Sequence, residues 1–180
     1  PKMKIMGIES VKSSTPAFCR DKLTESFKVI MSGDNDKLIE FIQKIRKNFN
    51  QQELINISFP RGVNGINKYK GSSEIYVKGT PIHVRGALLY NHHLKQNKIT
   101  NKYPEILDGE KIKYLYLKSP NPFGENVIAY IQDLPKEFGL DKYIDYELQF
   151  NKAFLDPLKS VVDCIGWQTE KRGSLESFFA

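Results

Sequence analysis

Pro81-Ile82-His83-Val84-Arg85 is the stretch of this sequence best equipped for chemistry. Proline is favoured in the first turn of a helix, where its missing N–H costs nothing, so a helix is expected from Pro81 to about Lys95. A helix start presents free N–H groups and a positive dipole end, which together suit a phosphate. His83 and Arg85 would add cationic donors, and Lys78 lies just upstream. An ordinary basic helix start is the plainer alternative. A second candidate is the C-terminal Leu175, Phe178 and Phe179, spaced i, i+3 and i+4. One helical turn would gather these three on one side, either folded back on the body or offered to a partner's pocket.

Other constellations point away from catalysis. His92 and His93 are adjacent, so on a helix they diverge by about 100° and chelate one metal poorly; a surface or helix-end role is expected for them. Asp34 and Asp36 resemble a carboxylate pair, but they occupy a turn between two amphipathic stretches and read as helix caps. The sequence holds no phosphate-binding lysine loop and no nucleophile elbow. No Cys/His cluster has structural-zinc spacing. No catalytic or metal-ligating residue is therefore assigned.

Several elements must position these groups. Met3 to Val11 alternates like a strand. Ser14 or Thr15 as N-cap, with Pro16 next, opens a helix carrying Phe18, Leu23, Phe27, Ile30 and Met31. Gly33 ends it. A second helix carries Leu38, Phe41, Ile42, Ile45 and Phe49 inward. Ser58 to Gly79 reads as a basic, glycine-rich loop region with a short strand near Glu74 to Val77. Lys111 to Leu117 and Asn126 to Ile131 read as strands joined by the turn-rich Ser119 to Gly124. Asp145 caps a last helix to about Ile165, in which Pro157 produces a kink or a division.

The expected fold is α+β and mainly helical: a helical body with a small inserted antiparallel sheet and an extended C-terminal tail. Residues 1–166 form one domain, and residues 167–180 a flexible tail. The 180 residues are 40% hydrophobic, enough for a core, and the formal net charge of +6 favours a polyanionic partner. Two distant cysteines suit a reducing setting. No apolar run approaches the roughly 18 residues that span a bilayer. The chain begins at Pro1 rather than Met and is expected to be processed or a piece of something longer.

Taken in order, the segments resemble the C-terminal, thumb region of family B replicative DNA polymerases of T-even-type bacteriophages. The resemblance runs over nearly the whole chain. It is carried by Met3-Lys4-Ile5-Met6-Gly7, Ser13 to Pro16, Ile82 to Gly86 with Leu89-Tyr90, Ile106 to Gly109 and Asn121 to Gly124. Lys152 to Leu158 and the terminal Ser174-Leu175 with Phe178 complete it. Asp156 departs from the pattern, which often has lysine there.

The resemblance implies a thumb that holds primer–template duplex through backbone and minor-groove contacts. Lys4, Lys78, Arg85 and Lys152 match positions facing DNA, with His83 beside Arg85. Leu175, Phe178 and Phe179 match the peptide that docks into the sliding clamp. The family's palm motifs and exonuclease carboxylates are absent. The chain is thus expected to be a thumb fragment or split subunit of a DNA-directed DNA polymerase, inactive alone. Mg²⁺ would belong to the missing palm, and the palm and fingers portion would be a partner. The resemblance also implies the cytoplasm of an infected bacterium. A standalone nucleic-acid-binding module, or a small nuclease using His83 with Arg85, stands as the alternative.

Overall fold

The computed structural model describes residues 12–171. In chain order its elements are α1 (Ala17–Met31), α2 (Asn35–Asn50), α3 (Leu54–Ile57), β1 (Phe59–Gly62), α4 (Ile82–Gln96), β2 (Lys111–Tyr116), β3 (Val127–Tyr130), α5 (Tyr146–Phe150) and α6 (Asp156–Val162). A π-helical turn, Asn151–Leu155, joins α5 to α6. This is an α+β, mainly helical fold with one three-stranded antiparallel sheet, as expected. The chain divides into two compact units: the stretches up to Ile57 and from Phe150 onward form one, and Ser58–Gln149 the other. The expected strand from Met3 to Val11 and the tail segment Ser174 to Ala180 lie outside the described residues. Among the described residues no helix is long and apolar enough to cross a membrane.

The first unit is helical. Asp34 caps α2, its carboxylate accepting from the N–H groups of Asp36 at 3.0 Å and Lys37 at 3.3 Å. That contact sets where α2 starts. Asp34→Ala is expected to cost about 1 kcal/mol, read as a lower urea midpoint. α2 buries Leu38, Ile39, Ile42, Ile45 and Phe49, while Phe41 is only half-buried. Phe49 meets Phe18 and Phe150 edge-on, with centroids 6.1 and 5.2 Å apart.

Two details of α1 differ from the sequence reading. Pro16 itself takes the N-cap position, and no side chain caps the helix. The Thr15 hydroxyl instead accepts from the Lys12 N–H at 3.0 Å, closing the preceding turn. The buried stripe is Cys19, Leu23, Ser26 and Phe27, and Met31 is exposed. Burial pushes the Cys19 thiol up to about 12. Cys19 and Cys164 are both free thiols.

Asp145 caps α5 as expected, accepting from the Leu148 N–H at 3.0 Å. The helix beyond is divided rather than continuous. Pro157 lies in the first turn of α6, directly after the π-helical turn. A proline has no N–H to donate and its ring crowds the preceding turn, so the widened turn falls where the α-helical ladder cannot run unbroken.

The second unit is built on the sheet β1-β2-β3. β1 pairs with β2 in the register Phe59 opposite Tyr114 and Arg61 opposite Ile112. β2 pairs with β3 with Tyr114 opposite Ala129 and Tyr116 opposite Val127. Helix α4 packs on β3 at Gly86, where an added Cβ would lie 3.0 Å from the Ala129 backbone nitrogen and 3.2 Å from its Cβ. A side chain at this position would press on β3, so glycine suits the close seating of the helix.

β1 was not expected, because Pro60 and Gly62 read as loop. It is an edge strand, the position where a sheet accommodates proline. The expected strand at Glu74 to Val77 is reduced to a single bridge between Lys70 and Tyr76.

Candidate nucleic-acid interface

Three parts of the Ser58–Gln149 unit carry the cations of the candidate interface. Arg61 is exposed on β1. His83 and Arg85 lie in the first two turns of α4, both half-buried. Lys68, Lys70 and Lys78 are exposed along the loop between β1 and α4. The loop is held both by contacts within it and by acidic residues later in the chain. The Asp108 carboxylate accepts from the Gly65 N–H at 2.7 Å and from the Ile66 N–H at 3.0 Å. The Val77 N–H donates to the Tyr69 carbonyl at 3.0 Å. At the tip, a Cβ on Gly71 would run into the backbone carbonyl of Glu74, so the tight turn there requires glycine.

The sheet register carries Phe59, Tyr114 and Tyr116 into one aromatic group, with Phe59 stacked on Tyr114 at 5.2 Å and edge-on to Tyr116 at 6.0 Å. Burial raises the Tyr114 hydroxyl to about 12, with Tyr116 adding to the rise and Arg61 opposing it. Burial also raises Tyr116, with Arg85 opposing. His83 is lowered from its ordinary value by burial first and by the positive charge of Arg61 second. Arg61, His83 and Arg85 thus share one electrostatic neighbourhood beside the tyrosines. An arriving anion would offset the positive charge of Arg61 and favour protonation of His83.

Arg85 is also held from within. Its Nη1 lies 3.4 Å from a Glu125 carboxylate oxygen, and both side chains are about one-fifth exposed. The Tyr76 hydroxyl donates to the same carboxylate at 2.8 and 3.0 Å. The Arg85 guanidinium lies 5.7 Å from the centre of the Tyr76 ring. A guanidinium has five N–H donors, more than the ion pair with Glu125 uses.

The other expected site residues fall elsewhere. Lys152 is exposed in the π-helical turn of the first unit. Lys4, Leu175, Phe178 and Phe179 lie outside the described residues. His93 does more than end a helix. It stacks on Phe123 with centroids 3.5 Å apart, and burial, with His92 second, pushes it down to about 4. Among the described residues no group of three or more His, Cys, Asp or Glu side chains gathers as a metal site would.

Sequence reasoning missed Arg61, Asp108 as a loop clamp, and Glu125. The residue pattern gave a partial hint for Asp108, which lies in the Ile106 to Gly109 motif. Arg61 and Glu125 join the site only through strand register and a turn about 40 residues away.

No family model matches the chain. Two curated relatives do, each over 99% of this chain: a DNA-directed DNA polymerase of Enterobacteria phage T4, 32% identical over 183 aligned residues, and one of Escherichia phage RB69, 34% identical over 184. The chain spans about a fifth of the length of these relatives, 20% in each case. It is therefore related, along nearly its whole length, to one segment of the T4-type phage DNA-directed DNA polymerases.

Proposed function

We propose that this chain is the thumb portion of a phage family B DNA polymerase, which holds primer–template duplex without reading its sequence. The observation that supports this most is the gathering of Arg61, His83 and Arg85 beside the lysine-bearing loop. A polymerase must hold any sequence and move along it. Phosphate contacts suit that task because they carry no base information. The minor groove is a second suitable surface, since its donor and acceptor pattern is degenerate. Lys78, His83 and Arg85 act in this grip, joined by Arg61 and, from elsewhere in the chain, by Lys4 and Lys152.

On this reading the paired carboxylates and Mg²⁺ of phosphoryl transfer belong to the palm portion of the longer polymerase, and the chain works joined to it. The terminal Leu175, Phe178 and Phe179 tether the enzyme to its sliding clamp. The setting is the cytoplasm of an infected bacterium.

Fluorescence anisotropy with duplexes of unrelated sequence, across a salt series, tests the grip. Log K is expected to fall linearly with log salt, by about 0.9 for each phosphate neutralised, and to be the same for each duplex. A flat salt response, or a strong sequence preference, would overturn it. The tether has its own arm. Deleting Ser174 to Ala180 is expected to abolish clamp binding and to leave duplex binding unchanged, and retained clamp binding would refute it.

A further inference from the structure

We infer that Glu125 is a positioning residue: its carboxylate fixes the lysine-bearing loop and aims Arg85, without itself meeting the ligand. The inference rests on the duplex-holding reading only for what is held; the latch itself stands on geometry. Glu125 ties its own turn to the loop and to the start of α4, which lie 49 and 40 residues earlier in the chain. Both its carboxylate oxygens accept from the Tyr76 hydroxyl near the end of the loop, and one also meets Arg85 on α4. Glu125 is in turn held from behind. The Asn121 side-chain amide donates to the Glu125 carbonyl at 2.6 Å and to the Lys118 carbonyl at 2.8 Å, and the Asn121 oxygen accepts from the Phe123 N–H at 2.9 Å. The turn is braced further by the stacking of Phe123 on His93 of α4. The path runs from α4 through the turn to Glu125, then to Tyr76 and the loop.

The charges make the arrangement unusual for a surface that holds a polyanion. A carboxylate beside the grip repels phosphate, so simple electrostatics makes its removal favourable for binding. Its place here makes sense if fixing the loop and Arg85 outweighs that repulsion. Holding flexible cations in place before binding reduces the ordering cost paid on association. Tyr76 shows how closely the pair is engaged: burial first, and the hydrogen bond to Glu125 second, raise its hydroxyl above the ordinary value.

The sign of one substitution decides the matter. Glu125→Ala removes a negative charge and the latch together, and is expected to weaken duplex binding about tenfold. Glu125→Gln also removes the charge, but its amide oxygen still accepts from Tyr76, and it is expected to bind at least as tightly as the unsubstituted chain. Stronger binding by Glu125→Ala would overturn the proposal. Hydrogen exchange in the absence of DNA provides an independent readout. In Glu125→Ala the Val77 amide, which donates to the Tyr69 carbonyl, is expected to exchange faster while the α4 amides keep their rates. Unchanged Val77 exchange would overturn the latch, and so would equal acceleration throughout α4, which marks general destabilisation. If the unsubstituted chain binds no duplex, the duplex-holding reading falls, and the exchange arm still decides the role of Glu125.

Discussion

Phe49→Ala is expected to lower the unfolding free energy by about 3–5 kcal/mol, the range for truncating a fully buried phenylalanine. Phe49 has no solvent exposure and sits edge-on between Phe18 of α1 and Phe150, which opens the returning stretch of the unit. Alanine removes a ring that both neighbours pack against. Collapse into the space is resisted because α1 and α2 also bury Leu23, Phe27, Leu38 and Ile42, which already fill the core around it. Trp167, the only tryptophan, belongs to the same unit, so its fluorescence in urea reports the loss there. With a denaturant slope of about 1–3 kcal/mol per molar, the midpoint is expected to fall by roughly 1–5 M. Phe41→Ala on the half-buried side of α2 gives the comparison and is expected to move the midpoint less. Equal shifts for the two would contradict the burial described here.

The second large effect is on binding. Lys68, Lys70 and Lys78 replaced together by alanine are expected to weaken duplex binding about a hundredfold at physiological salt and to flatten the salt slope by about 3. All three are exposed and carry no ion pair among the described residues, so their removal leaves the fold and its thermal midpoint nearly unchanged. The two readouts must move together. A lost affinity with an unchanged salt slope would mean that the lysines do not meet phosphates.

Much of the helical body was legible in the sequence because its signals are local. Asp34 before an amphipathic run, Asp145 before another and Gly33 after a helix each act within a turn of where they stand. The inserted sheet was half legible. β2 announced itself by alternation, with Ile112, Tyr114 and Tyr116 on one face and Lys111, Lys113, Leu115 and Leu117 on the other. β1 did not, because a four-residue strand holding Pro60 and Gly62 has the composition of a loop, and only pairing with β2 some 50 residues later makes it a strand. The same distinction runs through the site. His83 and Arg85 were found because a proline-led helix start is a local signal. Arg61 and Glu125 were not, because nothing near them in sequence says that register and a turn will bring them to α4. Helix α1 shows a smaller version of this. Hydrophobicity favoured Met31 as an inward residue, whereas packing buries Cys19 and Ser26 instead.

The edge strand β1 bears on how the chain behaves when crowded. An open strand edge is a template on which a second molecule can lay a strand of its own, and repeated addition leads to fibres. β1 offers such a visitor four residues, one of them a proline without an N–H and the next a charged Arg61. A ladder started there finds a missing rung and an unfavourable charge at once. The same short strand that delivers Arg61 therefore makes this edge of the sheet a poor template for polymerisation.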